Sequence, residues 1–140
     1  VDIERGPAIM SAMNRAIESG CVAACHDLSE GGLGVALAEM GFSGGLGLDV
    51  DLRRVPLADG TERDDFVLFS ESNSRFLVEV IPSRSHDFEL IMKNLPVAAI
   101  GVVIERPILA VGGLGGNRVV ETELGLLKRS WQTPLSQKLG

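Results

Sequence analysis

Tyrosine is absent from this chain, tryptophan occurs once, and aromatic residues make up only 4% of the sequence. The net charge is −6, so there is no basic excess to meet a phosphate backbone. Nucleic-acid binding, which needs cationic and stacking surfaces together, is therefore not expected. No apolar run approaches the roughly 20 residues that span a bilayer. The start Val1-Asp2-Ile3-Glu4-Arg5 is charged and has no signal-peptide core. A cytoplasmic setting without a membrane partner is expected. Cysteine is scarce: Cys21 and Cys25 are the two in the chain. A bridge along one strand is sterically poor, so both read as small buried hydrophobes in a reducing compartment. A metal site from Cys21, Cys25 and His26 would lack a second ligand pair, and none is assigned. No Ser-His-Asp or H-E-x-x-H pattern occurs, and no catalytic residue is assigned. An initiator methionine is also missing, so the chain is expected to be a piece of a longer protein or a processed product.

What is present suits a folded core. Hydrophobic residues make up 45% of the 140 and charged residues 23%, a balance that excludes disorder. The length suggests one domain over residues 1–140. Ile9, Met13, Ala16 and Ile17 give a helix that opens at Pro7 and ends at Gly20. Val22 to Cys25 reads as a short buried strand. A second helix carries Leu33, Ala36, Leu37 and Met40, with a glycine-rich exit from Gly41 to Gly47. Leu46 to Leu52 alternates as a half-wet strand. A polar connection holding Asp59-Gly60 leads to a short helix over Asp64 to Phe69 and a strand over Phe76 to Ile81. Pro82-Ser83 opens a helix with Ser83 as N-cap, and Val97 to Ile104 is the most strand-like run. Ile108–Val111 and Arg118–Val120 form a hairpin around Gly112 to Asn117. Leu124, Leu127 and Trp131 mark a last helix closed by Thr133-Pro134. The fold class is α/β: a sandwich with helices packed on a mixed sheet.

Two polar segments could carry chemistry. The first runs from His26 through Asp27, Ser29, Gly31 and Gly32 into a helix. Ligands of open α/β sheets collect at strand C-termini, and a helix start offers free N–H groups. Asp27 and Glu30 would repel a bare phosphate but could meet a ribose hydroxyl, an amine or a magnesium-bound phosphate. The plainer alternative is a capped helix in which Asp27 or Ser29 accepts a backbone N–H, with His26 a hydrogen-bonded structural residue. The second segment is Ser70-Glu71-Ser72-Asn73-Ser74-Arg75, just before a strand. Arg75 could fork onto a phosphate or carboxylate. Here the alternative is a hydroxyl-rich turn with Arg75 paired to Glu71. The Gly112–Gly116 run lacks G-x-x-x-x-G-K-[ST] and reads as a hairpin tip, and exposed His86 is assigned nothing.

The run His26-Asp27-Leu28-Ser29-Glu30-Gly31-Gly32-Leu33, followed by Ala36 to Met40, resembles the second half of the phosphoribosylformylglycinamidine synthase family. Leu68 to Ser72 with Ser74-Arg75-Phe76 matches a second motif of that family, and the helix from Pro7 to Gly20 is similar too. The resemblance covers Gly6 to Ile104 well and the tail loosely. It implies the last C-terminal domain of a purine-biosynthesis ligase of the aminoimidazole ribonucleotide synthetase-like superfamily. The full enzyme would use ATP and Mg²⁺ to activate the amide oxygen of formylglycinamide ribonucleotide, and ammonia from glutamine would then displace phosphate. Implied partners are the N-terminal domain of the same chain, a glutaminase subunit or domain, and a nucleotide. The acids that bind Mg²⁺ lie in the N-terminal domains, so this domain alone should hold no cofactor tightly and should be inactive. His26, Asp27, Ser29, Gly31, Gly32, Glu71, Ser72, Asn73 and Arg75 would line one wall of a nucleotide or phosphate cleft. Phe66 and Phe69 would contact the missing partner. The alternatives are a free-standing binding or assembly module, or a domain of another ATP-dependent synthetase or kinase of the superfamily.

Overall fold

A computed structural model describes residues 5–57 and 60–136. The element order is α1 (Arg5–Glu18), β1 (Val22–Asp27), α2 (Gly32–Gly44), β2 (Gly47–Asp51), α3 (Asp64–Phe69), β3 (Phe76–Val80), α4 (Ser85–Ile91), β4 (Gly101–Ile104), β5 (Ile108–Gly112), β6 (Arg118–Glu123) and α5 (Leu124–Ser136). β1 and β3 form an antiparallel pair, and a mixed sheet has the order β4-β2-β5-β6. Within that sheet β2 runs parallel to β5 and antiparallel to β4. This is the α/β arrangement, helices on a mixed sheet, that the periodicities predict.

Two apolar clusters hold these elements. Leu33 and Leu37 of α2 pack with Val50, Leu109 and Val111 of the mixed sheet, Val67 and Leu68 of α3, and Leu124 of α5. Ala12, Met13 and Ala16 of α1 pack with Cys21, Phe88 and Met92, covering Val22, Val78 and Val80 of the β1–β3 pair. Leu77 of β3 instead joins the α2 cluster. The two-stranded ladder, which would be marginal by itself, is thus packed by both clusters, with Ala23, Cys25 and Asp27 of β1 left exposed. α2 is the element shared between the two sheets. Among the described residues no helix is long and apolar enough to cross a membrane.

Several boundaries differ from the expectation for local reasons. α1 already includes Arg5, ahead of Pro7, and ends as foreseen at Gly20, which has φ +70° and donates to the Ile17 carbonyl. α2 does not stop at Gly41 but runs to Gly44, with Gly45 in the left-handed region donating back to the Gly41 carbonyl. Gly41 is buried within the helix, where a Cβ would lie 2.9 Å from Leu124 Cδ2. Ser83 is not an N-cap: Pro82 starts a 3₁₀ turn over Pro82–Arg84, and α4 follows without a side-chain cap. Of the strand-like run from Val97, only Gly101–Ile104 is ladder. Its partner β2 ends at Asp51, whose N–H donates to the Ile100 carbonyl, and then turns into a 3₁₀ segment. α5 passes Thr133-Pro134 and reaches Ser136. A proline removes one N–H without forbidding helical φ in the residues after it. Cys21 is buried as expected, but it precedes β1, and Cys25 beyond the bulge at Val22/Ala24 is exposed. Asp59 of the expected Asp59-Gly60 turn, with residues 1–4 and 137–140, lies outside the described residues.

Glycine placement yields a paired test. A Cβ on Gly47 would collide with the Arg106 carbonyl oxygen and stand 2.6 Å from that of Ile108, whereas one on Gly44 meets nothing within 4 Å. Gly47→Ala should therefore cost more than about 2 kcal/mol in urea unfolding. Gly44→Ala should be neutral or stabilising by up to about 1 kcal/mol.

Candidate functional site

The register of the β1–β3 ladder brings the two polar segments together. Asp27 lies opposite Phe76, so the loop after β1 begins beside the end of the loop before β3. One further bond continues the ladder, from the Leu28 N–H to the Arg75 carbonyl at 2.9 Å. Gly31 and Gly32 then take φ of +76° and +61°, a pair of left-handed steps that side chains disfavour. A Cβ on Gly32 would lie 2.7 Å from the Ser70 carbonyl oxygen and 2.9 Å from that of Leu68. The start of α2 is therefore seated directly on the C-terminal end of α3.

The cap of α2 is not supplied by Asp27 or Ser29. Gly31 is the N-cap residue and makes no side-chain cap bond. Instead the Gly31 N–H donates to Glu71 Oε1 at 2.8 Å, forty residues along the chain. A carboxylate at a helix start is favoured by the unpaired N–H groups and the dipole there. Because Glu71 is used in this way, the expected Glu71–Arg75 pair does not form. Arg75 Nη1 donates to the Ser70 carbonyl at 3.2 Å and to Ser70 Oγ at 3.1 Å. Burial pushes the pKa of this guanidinium down. Arg75 braces the loop.

The cavity at this junction has a volume of about 360 Å³ and lies between the start of α1 and the turn from Glu71 to Ser74. Arg5, Gly6 and Ile9 face Glu71, Ser72, Asn73 and Ser74 across it. Ser74 has φ +61°, and a Cβ on Gly6 would stand 3.2 Å from its Oγ, so the glycine admits this close approach. Of the residues singled out from the sequence, Glu71, Ser72 and Asn73 line the cavity. His26, Asp27, Ser29, Gly31, Gly32 and Arg75 lie outside its lining. Arg5, Gly6 and Ile9 had no local signal, because the fold brings them in from sixty-odd positions away. Among the described residues no three His, Cys, Asp or Glu side chains gather as a metal site.

His26 faces α2 rather than the cavity. Its Nε2 lies 2.7 Å from Glu39 Oε2, and its Nδ1 lies 2.6 Å from the Asp27 carbonyl oxygen. Its pKa is raised, first by the bond to the Asp27 carbonyl and then by Glu39, with partial burial opposing. Helical spacing could have suggested Glu39, which borders the apolar stripe of α2. A second, apolar cavity of about 270 Å³ lies beside α2, between Phe42, Phe69 and Trp131. Phe66 and Phe69 on α3 are 57% and 55% exposed, with the Arg63 guanidinium 4.4 Å above the Phe66 ring.

Two outcomes follow from this geometry. Gly32→Ala should lose more than about 2 kcal/mol of stability by urea unfolding, through strain at positive φ and contact with two carbonyls. His26 binds its proton more tightly in the fold than in the unfolded chain. Its contribution is thus complete below pH 6.5 and is lost as pH rises through the raised folded value. Urea midpoints should fall between pH 6 and pH 8.5, and His26→Gln should flatten that part of the slope.

A family model described as AIR synthase related protein, C-terminal domain, matches residues 1–113. The chain is 34% identical over 140 residues to phosphoribosylformylglycinamidine synthase subunit PurL of Deinococcus radiodurans, covering 100% of this chain and 18% of that protein. Against the same subunit of Moorella thermoacetica it is 45% identical over 82 residues, 59% of this chain and 10% of that protein. The structure of Thermotoga maritima PurL complexed with FGAR superposes with a TM-score of 0.80 at 30% identity, over 91% of this chain and 21% of that one. E. coli HypE, a hydrogenase maturation protein, shares the fold at a TM-score of 0.67 and 18% identity, over 83% of this chain and 39% of that one. The chain thus spans less than a fifth of the length of the curated relatives it matches. With the motifs at His26–Gly32 and Ser70–Arg75 and this fold, the chain belongs to the family of AIR synthase-related C-terminal domains, where it is similar to PurL.

Proposed function

We propose that this chain acts as a single α/β domain, the C-terminal one in the second half of an ATP-dependent phosphoribosylformylglycinamidine synthase. The proposed reaction of the whole enzyme converts formylglycinamide ribonucleotide, ATP and glutamine-derived ammonia to the amidine, in the cytoplasm. Solved structures of PurL complexed with FGAR, ATP, ADP and AMPPCP support a nucleotide role for this family of proteins. The structure of PurLQS from Thermotoga maritima supports assembly with further subunits, and the proposed ammonia source is a glutaminase subunit or domain. The observation that carries the reading is the cavity between α1 and Glu71–Ser74, where four polar side chains of one turn face the start of α1.

That cavity forms one wall of a cleft. Ser72, Asn73 and Ser74 supply hydroxyl and amide groups, and Arg5 supplies a cation. Glu71 holds the turn against α2, and Arg75 stiffens it from behind. The described residues do not fit Mg²⁺, since no cluster of ligating side chains forms and Glu71 is bonded to Gly31. No metal-dependent step is therefore assigned to this chain. The other wall and the metal-binding acids come from the N-terminal domain of the same enzyme. A free-standing module, or a domain of another superfamily kinase or synthetase, is the weaker reading. Identity to PurL reaches 34% over 140 residues, whereas HypE stands at 18%.

Calorimetric titration of ADP with Mg²⁺ into the chain alone should give a Kd weaker than about 1 mM, a free energy of only about −4 kcal/mol. No formylglycinamide ribonucleotide turnover should accompany it. The complete synthetase should bind ADP at least tenfold more tightly, and Asn73→Ala there should weaken binding. Turnover by the isolated chain, or equally tight binding without the partner domain, would contradict the reading.

A further inference from the structure

We propose that His26 is a positioning residue: its doubly protonated ring fixes the first peptide of the β1–α2 loop and so sets that loop by proton occupancy at one imidazole. The proposal deepens the cleft reading and rests on it only for the loop's purpose.

Both ring nitrogens face acceptors. Nδ1 lies 2.6 Å from the Asp27 carbonyl oxygen and Nε2 lies 2.7 Å from Glu39 Oε2. A backbone carbonyl has no proton to give, and neither has a carboxylate. A neutral imidazole carries one N–H, so it would leave one of these contacts as lone pair against lone pair. The imidazolium donates to both.

The bond to Asp27 acts on a peptide that is gripped from two sides. Its carbonyl accepts from His26, and the N–H of the same peptide unit, on Leu28, donates to the Arg75 carbonyl at 2.9 Å. Three residues later Gly31 donates to Glu71. The ring therefore ties the end of β1 to α2 through Glu39 and orients the peptide from which the loop departs. When the proton leaves, one of the two bonds must go, and the Asp27–Leu28 peptide keeps a partner on its N–H side alone if the Asp27 bond is the one lost.

The groups around the ring are acidic. Asp27 Oδ1 stands 3.7 Å from Nδ1, and Glu39 faces it from α2. On β3 the residue opposite is Leu77, and Glu79 lies opposite Ala24. Glu30 sits on the loop itself, and the Arg75 guanidinium is turned to Ser70. Cys25, one position back, has its thiol pushed up by burial and by Asp27. Histidine is the side chain whose ordinary pKa falls between about pH 5.5 and 8.5, and the Cys25 thiol is pushed further above that range. The chain has two histidines, and His86 lies on α4.

Nuclear magnetic resonance on the labelled chain, with no nucleotide present, tests this. The His26 ring should titrate with a midpoint above 6.5. The amide shifts of Leu28, Gly31 and Gly32 should follow the same midpoint. Glu39→Gln should lower the ring and loop midpoints together, and His26→Gln should leave the loop amides flat. Should His26→Gln fail to fold, Glu39→Gln and the wild-type series decide the matter. Loop amides that stay flat while the ring titrates would overturn the proposal. So would a ring midpoint at or below 6.5 that Glu39→Gln does not move. Because no ligand is used, such a failure is distinct from failure of the nucleotide reading, which is judged by ADP binding.

Discussion

The approach of α2 to the end of α3 is the constraint on which this site depends. Two consecutive left-handed glycines let the chain leave β1 and enter α2 with Gly32 against the carbonyls of Leu68 and Ser70. That contact puts the α2 start within reach of Glu71, whose carboxylate takes the Gly31 N–H. The turn carrying Ser72, Asn73 and Ser74 is then held open toward α1. A side chain at position 32 would push the two helix ends apart and dismantle the wall from behind. The glycines serve a junction between helices, and the cavity lies one step away.

The charges at this junction are largely satisfied internally. Glu71 caps a helix, Arg75 holds the Ser70 carbonyl and hydroxyl, and His26 bridges a strand end to Glu39. The cavity lining itself combines Ser72, Asn73, Ser74 and Glu71 with Arg5, Gly6 and Ile9 of α1. Such a surface can orient a ligand, and among the described residues no metal-ligating cluster gathers. In the proposed reading this wall is completed by another domain. The exposed Phe66 and Phe69 on the neighbouring α3 fit the same picture.

Much of the fold was legible in the sequence, because periodicity reports burial. The stripe on α2, the hairpin from β5 to β6 and the glycine at the end of α1 stand where the pattern puts them, whereas on α1 Ile17 is 52% exposed and Ala12 joins Met13 and Ala16 in the core instead. The failures are those of long-range context. Val97–Ala99 has no partner strand, since β2 turns into a 3₁₀ segment directly after Asp51, whose N–H donates to the Ile100 carbonyl. Ser83 has capping chemistry, but Pro82 sets the backbone first. The motif residues could be found from the sequence, yet their roles could not. Glu71 and Arg75 are four apart, a spacing that suggests a local ion pair, and each instead bonds to a different backbone. Arg5 and Gly6 reach the cavity only through the packing of α1 beside the β3 loop.

The most direct measurement is a crystal structure of the complete synthetase with bound nucleotide. The account predicts ligand density against Ser72, Asn73 and Ser74, with the Glu71–Gly31 bond intact behind them. Nucleotide bound away from this turn, with the cavity between α1 and Glu71–Ser74 closed by protein, would contradict it.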